Sequence, residues 1–148
     1  MVGRVRAVLG SIRHEVRIRR SADDVWQLVG DAARLHEWFP GISSSTVEGT
    51  SRVITTDAGL PMAEEILVVD PVQRRFQYRL TAPMFRHHRG TIDVIGLDDT
   101  TCVVVYATEA DPRAMALVIG GATAGALDEL RRQMEIDPPA EDHANGGG

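Results

Sequence analysis

The chain carries one long helical pattern, and it comes last. From Arg113 to Ile136 apolar residues recur at helical spacing, so that Met115, Ile119, Ala122, Ala126, Leu130 and Met134 can share one broad face. Between Ile42 and Thr108 the punctuation is instead that of a β meander. Gly49, Asp57–Gly59, Asp70-Pro71, Ala82-Pro83 and Asp98-Asp99 separate runs rich in Val, Ile, Thr and Tyr. An amphipathic helix has to bury its stripe, and a sheet is the only large partner this chain offers. A single terminal helix laid on one antiparallel sheet is therefore the frame within which every other segment has to fit.

His14–Arg19 alternates polar and apolar and reads as a half-buried first strand. Ser21 with Asp24 three residues on marks a helix start, and Val25, Trp26, Leu28 and Val29 supply its apolar face. Gly30-Asp31 breaks this helix, and a second short one, Ala32 to Trp38, ends at Phe39-Pro40-Gly41. Strands are predicted at about 43–48, 52–57, 62–69, 74–82, 87–96 and 101–109, a spacing that makes consecutive strands antiparallel neighbours. Asp111 is placed to cap the last helix, with Pro112 at its first position. Gly120, Gly121 and Gly125 interrupt that helix at a cost of about 1 kcal/mol each, which close packing against the sheet explains best. A seven-stranded antiparallel sheet of natural twist curls. The expected fold is α+β, order β-α-α-β6-α, a helix-grip with a curved sheet around the long C-terminal helix.

The 148 residues suffice for one domain, expected at 12–136, between a basic extension at 1–11 and a disordered tail at 137–148 that ends in three glycines. A net charge of -5 argues against nucleic acid as the main partner. All basic side chains except histidine are Arg, as in GC-rich genomes, so the Arg count is given no functional weight. Six Arg against the single acid Glu15 in the first twenty residues read as a solvated arm before the first strand, the alternative being an arm that touches nucleic acid or anionic lipid. No run approaches the roughly 20 apolar residues of a membrane span, and the arginine-interrupted N-terminus reads against a secretory signal. The one cysteine, Cys102, leaves no internal disulfide, which suits a cytoplasmic protein. A monomer or weak homodimer is expected. The five histidines show no metal-ligand spacing, and nucleotide-binding glycine motifs are missing. No metal and no cofactor is expected.

Three stretches resemble a known family. In SADDVWQLVGDAARLHEWFPGI, Ser21, Val25, Trp26, Trp38, Pro40 and Gly41 match the opening of the START-like (SRPBCC) superfamily, above all its polyketide cyclase/dehydrase and lipid-transport branch. In EEILVVDPVQRRFQYRL, Glu64, Ile66, Asp70, Arg74 or Arg75, Tyr78 and Leu80 stand where that family has its central strand pair. GTIDVIGLDDTTCVVVYATEADP is similar to its last hairpin, with Tyr106 where many relatives carry Trp. The resemblance covers about residues 14–135. It implies a START/Bet v 1-like helix-grip with an elongated, mostly apolar cavity between sheet and long helix.

Alternation then selects which side chains face that cavity. Glu64, Tyr78, His88 and Tyr106 share inward parity. A carboxylate, an imidazole and two phenols on apolar walls form a candidate acid–base set, with Glu64 and His88 as weak catalytic candidates. The same groups suit a pocket that orients the polar end of an apolar ligand. Trp38 and Phe39 on the second helix, Phe85 in the loop TAPMFRHHR, and Met115 and Ile119 on the long helix complete the expected ligand-binding set with Glu64, Tyr78, His88 and Tyr106. The expected cavity is lined by Met115 or Ile119, Tyr78 and Tyr106, and holds a ligand of some tens of atoms. Two functions stay open: a non-catalytic carrier or sensor of a hydrophobic small molecule (lipid, isoprenoid or polyketide-like), and a polyketide cyclase or dehydratase. A protein–protein module using the basic arm is a third and weaker reading.

Overall fold

The computed structural model describes residues 8–136. The expected tail and most of the expected basic extension lie outside the described residues. Seven strands, β1 (Gly10–Ile18), β2 (Ile42–Glu48), β3 (Ser51–Thr56), β4 (Pro61–Asp70), β5 (Arg75–Leu80), β6 (His87–Asp98) and β7 (Thr101–Asp111), form one antiparallel sheet in the order β1-β7-β6-β5-β4-β3-β2. Among the described residues three α-helices accompany it, α1 (Ala22–Val29), α2 (Leu35–Trp38) and the long α3 (Arg113–Met134), with a 3-10 turn at Ala32–Arg34 leading into α2. This is the α+β helix-grip expected from the order of elements. No helix among the described residues is long and apolar enough to cross a membrane.

Local chemistry sets the boundaries. The Ser21 hydroxyl accepts from the Asp24 backbone N–H at 3.2 Å, which caps α1 as its sequence suggests. Asp31 caps the turn before α2 in the same way, accepting from the Ala33 N–H. Between β4 and β5 the Asp70 carboxylate accepts from the N–H groups of Val72 and Gln73, and Arg74 takes a left-handed φ of 55°. That conformation ends the turn and delays β5 to Arg75, one residue later than expected. β1 starts at Gly10, so two residues read from the sequence as extension are paired with β7. Asp111 does not cap α3. It closes β7 and accepts from the Arg86 guanidinium at 3.2 Å, while Pro112 occupies the N-cap without a side-chain bond.

The buried face of α3 also differs from the one that apolar spacing picks out. Ala116, Gly120, Thr123, Ala126, Leu127 and Leu130 are buried, whereas Met115 and Ile119 are half-buried and Ala122 is exposed. Small residues explain the rotation. A Cβ on Gly120 would lie 2.6 Å from Ile12 Cγ2, and one on Gly10 would lie 2.5 Å from the Arg113 carbonyl oxygen. Backbone approach at these two glycines draws the helix onto β1 by its small face rather than its bulky one. The close-packing explanation therefore holds for Gly120 and not for Gly121 or Gly125, whose Cβ positions meet nothing within 4 Å. The far end is tied by Arg19 N–H to Glu135 (3.0 Å) and Gln133 to the Glu37 carbonyl (2.7 Å). So α3 lies over β1 and β7 and leaves the concave side of β2–β5 largely clear.

Candidate functional site

On that clear side, strand alternation turns Arg52 and Ile54 of β3, Glu64 of β4, and Phe76, Tyr78 and Leu80 of β5 inward. Arg52 and Glu64 are direct cross-strand partners. Arg52 Nε donates to Glu64 Oε1 at 2.8 Å, and Nη1 donates to the Ala32 carbonyl at 3.2 Å. Each side chain of this ion pair is 2% exposed, so the charges are held away from water. The guanidinium also stands over the rings of Phe76 and Tyr78, 5.2 and 5.1 Å from their centroids. Burial pushes the Glu64 carboxyl above its ordinary range, and Arg52 opposes that only in part.

The two phenols lie side by side. Tyr78 and Tyr106 hydroxyls are 2.5 Å apart, and desolvation raises the proton affinity of both, Tyr78 most. Gly90 makes room for the Tyr78 ring, since a Cβ there would meet it at 2.5 Å. Tyr106 packs in turn against Trp38 and Phe39. His88 is spent differently: its Nδ1 accepts from the Leu80 backbone N–H at 2.9 Å. The ring is then neutral with its proton on Nε2, and burial holds its pKa down to about 4. Among the described residues Arg52 Nη2, His88 Nε2, Trp38 Nε1 and the Thr108 hydroxyl are buried without a hydrogen-bond partner.

A cavity of about 180 Å³ lies between this floor and α3. Phe39, Ile54 and Met62 wall it on one side and Val118, Ile119 and Ala122 on the other, while Glu64 and Tyr78 bring the polar groups. It holds about one aromatic ring. Ligand pockets for drug-sized molecules are typically about 300–1,000 Å³. The space is thus smaller than a ligand of some tens of atoms requires, because Phe39, Leu35 and the phenol pair fill much of the interior. No cluster of His, Cys, Asp or Glu able to hold a metal ion occurs among the described residues.

The profile of a family described as polyketide cyclase/dehydrase and lipid transport matches residues 10–135. The chain belongs to this family. No curated protein sequence matches significantly. Among solved structures, an uncharacterised protein from Bacillus thuringiensis shares 24% identity over 84% of this chain and 98% of its own, with a TM-score of 0.77. The Zhui aromatase/cyclase from a Streptomyces species shares 20% identity over 86% and 94%, with a TM-score of 0.72. A truncated norcoclaurine synthase from Thalictrum flavum shares 22% over 93% and 100%, with a TM-score of 0.72. At such identities these likenesses speak for the fold alone.

In this member of the polyketide cyclase/dehydrase and lipid transport family, the nine side chains singled out from the sequence separate into groups. Phe39, Glu64, Tyr78 and Ile119 line the cavity. Tyr106 stands behind Tyr78, and Trp38 is a core residue, 1% exposed. Met115 lies on the flank of α3 outside the cavity wall, a consequence of the rotated helix. His88 faces inward but is walled off by Leu80, and Phe85 packs on its ring at 5.5 Å. Glu64 pairs with Arg52, its cross-strand partner, and not with Tyr78. Beside the apolar wall residues Ile54, Met62 and Val118, the residue of the candidate site that the sequence reading misses is Arg52, which holds Glu64. Its signal is present: in SRVITT it alternates in phase with Ile54, which puts a charge on an apolar face.

Proposed function

We propose that the protein binds a small, mainly apolar molecule carrying one oxygen-bearing end, in the cavity between β2–β5 and α3. The observation that carries this reading is the composition of the wall: apolar side chains from four strands and two helices, with only Glu64 and Tyr78 offering polar side-chain atoms. Apolar area removed from water there contributes about 25 cal/mol per Å². Orientation then falls to the two polar groups. When Tyr106 donates to Tyr78, the Tyr78 O–H is left for a ligand carbonyl or hydroxyl, and Glu64 Oε2 accepts from a ligand hydroxyl. Calorimetric titration with 4-phenylbutan-1-ol and with butylbenzene tests this. Tyr78→Phe is expected to weaken the alcohol by about 1 kcal/mol and leave the hydrocarbon unchanged. Equal loss for both compounds would reduce Tyr78 to a matter of shape, and failure of both to bind the unaltered protein would remove the reading.

A second reading, cyclisation or dehydration of a polyketide-like chain, is favoured by one feature: the only carboxyl on the cavity wall is Glu64, whose proton affinity burial raises toward that of a useful general acid or base. His88 does not support it, since its acceptor nitrogen is occupied by Leu80. Glu64→Gln separates the two functions. Loss of turnover on an aromatisable poly-β-ketone with binding retained supports catalysis, and unchanged turnover sinks it.

A further inference from the structure

The sheet is split between β5 and β6. Their pairing runs from Arg75↔Asp93 to Tyr78↔Gly90 and stops. Beyond it β5 stays with β4 as far as Leu80, and β6 stays with β7 as far as His87. The His88 imidazole spans the wedge, accepting the Leu80 N–H where a ladder bond would otherwise lie. A recess of about 300 Å³ opens there. Arg79 and Arg89 line it from the outer face of the sheet, and Leu80 and His88 from the inner face. Leu80 also lines the apolar cavity, so the two spaces meet at this residue.

The recess is lined by three arginines, Arg79, Arg86 and Arg89, and two histidines, and no carboxylate lines it. Arg79 pairs with Glu65, Arg86 with Asp111 at 3.2 Å, and His87 with Glu109 at 3.3 Å. Arg89 lies opposite Glu109 in the β6–β7 register but makes no ion pair among the described residues. At the inner end His88, 4% exposed, keeps an Nε2–H donor with no partner, shielded by the Phe85 ring. Guanidinium groups match the planar, two-oxygen geometry of carboxylate and phosphate.

We infer that the ligand is an amphiphilic anion, its apolar body in the cavity and its carboxylate or phosphate group in the β5–β6 recess, held by Arg79 and Arg89. This rests on the cavity reading above for the apolar body, and it moves an anionic end of the ligand past Leu80 to the recess, leaving Tyr78 and Glu64 to the uncharged alcohol probe. It also fits the small cavity, because the polar end of the molecule lies outside that volume. The arginines supply charge-assisted donors, and the His88 Nε2–H gains an acceptor if Phe85 swings aside.

The test compares 4-phenylbutanoate with 4-phenylbutan-1-ol by calorimetry, with inorganic phosphate as a third probe. On the unaltered protein the anion is expected to bind about tenfold tighter than the alcohol at low salt, with the gap closing at about 0.5 M salt. In Arg79→Gln/Arg89→Gln the preference falls below about twofold while the alcohol keeps its affinity, which also shows that the variant is folded. Equal affinities for the two compounds, or an anion preference that survives the double substitution, overturns the inference and leaves the cavity reading standing. Inorganic phosphate bound through the same arginines, without any preference between the phenyl compounds, also overturns it, since the recess is then a separate anion site. If neither phenyl compound binds, the cavity reading and this inference fall together.

Discussion

Burial and Arg52 pull the proton affinity of Glu64 in opposite directions, and burial wins. Removing the arginine therefore exposes the full cost of a desolvated carboxylate. Arg52→Met is expected to lose about 3–5 kcal/mol in urea unfolding near pH 7, and Arg52→Met/Glu64→Leu to recover most of it. With its pKa raised further, Glu64 in the single variant takes up a proton in the folded state before the unfolded chain does. Its stability should then rise as pH falls through that folded-state pKa. A loss that persists in the double variant would mean that Arg52 acts by packing on Phe76 and Tyr78. His88 has the opposite sign. Its pKa is about 4 in the folded protein against an ordinary 6.5, so the unfolded chain binds the proton first. The stability it lends is complete above about 6.5 and lost as pH falls to about 4, an amount of about 3 kcal/mol. His88→Gln should flatten the dependence of the urea midpoint on pH across that window, and an unchanged slope would assign the acid sensitivity elsewhere. Inward parity of Glu64, Tyr78, His88 and Tyr106 was legible because strand side chains alternate. Their partners were not, since pairing depends on register and on Arg52, whose signal an arginine-rich composition masked.

At the scale of elements, caps and turn residues made the architecture readable. Ser21, the Asp70 turn and the Pro40-Gly41 stop each act through a local hydrogen bond or a fixed dihedral, and local chemistry is what a sequence displays directly. The facing of α3 was hidden for the converse reason. Apolar spacing favours the side with Met115 and Ile119, yet the helix packs through Ala116 and Gly120, where contact with β1 depends on backbone approach and not on side-chain area. Two adjacent glycines make this measurable. Gly121→Ala enters open space in a helix and should stabilise the protein by up to about 1 kcal/mol. Gly120→Ala places a methyl 2.6 Å from Ile12 Cγ2 and must displace it, so it should destabilise by about 1–3 kcal/mol despite the same gain in helix propensity. Thermal melts of the pair decide it, and stabilisation by both would show that the β1–α3 contact yields easily.

For the molecule as a whole, the cavity is a by-product of where α3 is anchored. Gly10 and Gly120 hold one end against β1, and Glu135 and Gln133 tie the other to the β1–α1 connection and α2. The helix cannot also cover β2–β5, and the space left beneath its free flank is the cavity. Family resemblance could announce such a space but not its volume, which depends on backbone separations a few tenths of an ångström at a time. If the cavity is separate from the folding core, filling it should abolish binding and spare stability. Ala122 allows this test, because it is exposed on α3, lines the cavity and takes no part in the helix face packed on β1. Ala122→Trp is expected to melt within a few degrees of the unaltered protein, the helix-propensity cost being about 0.5 kcal/mol. Binding of 4-phenylbutan-1-ol should fall by more than about tenfold, the equivalent of about 1.4 kcal/mol. Gly121→Ala, one residue away on the same helix but meeting nothing, serves as the control and should leave binding intact. Undiminished binding in Ala122→Trp would place the ligand elsewhere on the protein, and a large loss of stability would show that the flank of α3 closes onto β2–β5 more tightly than its contacts with β1 and β7 allow.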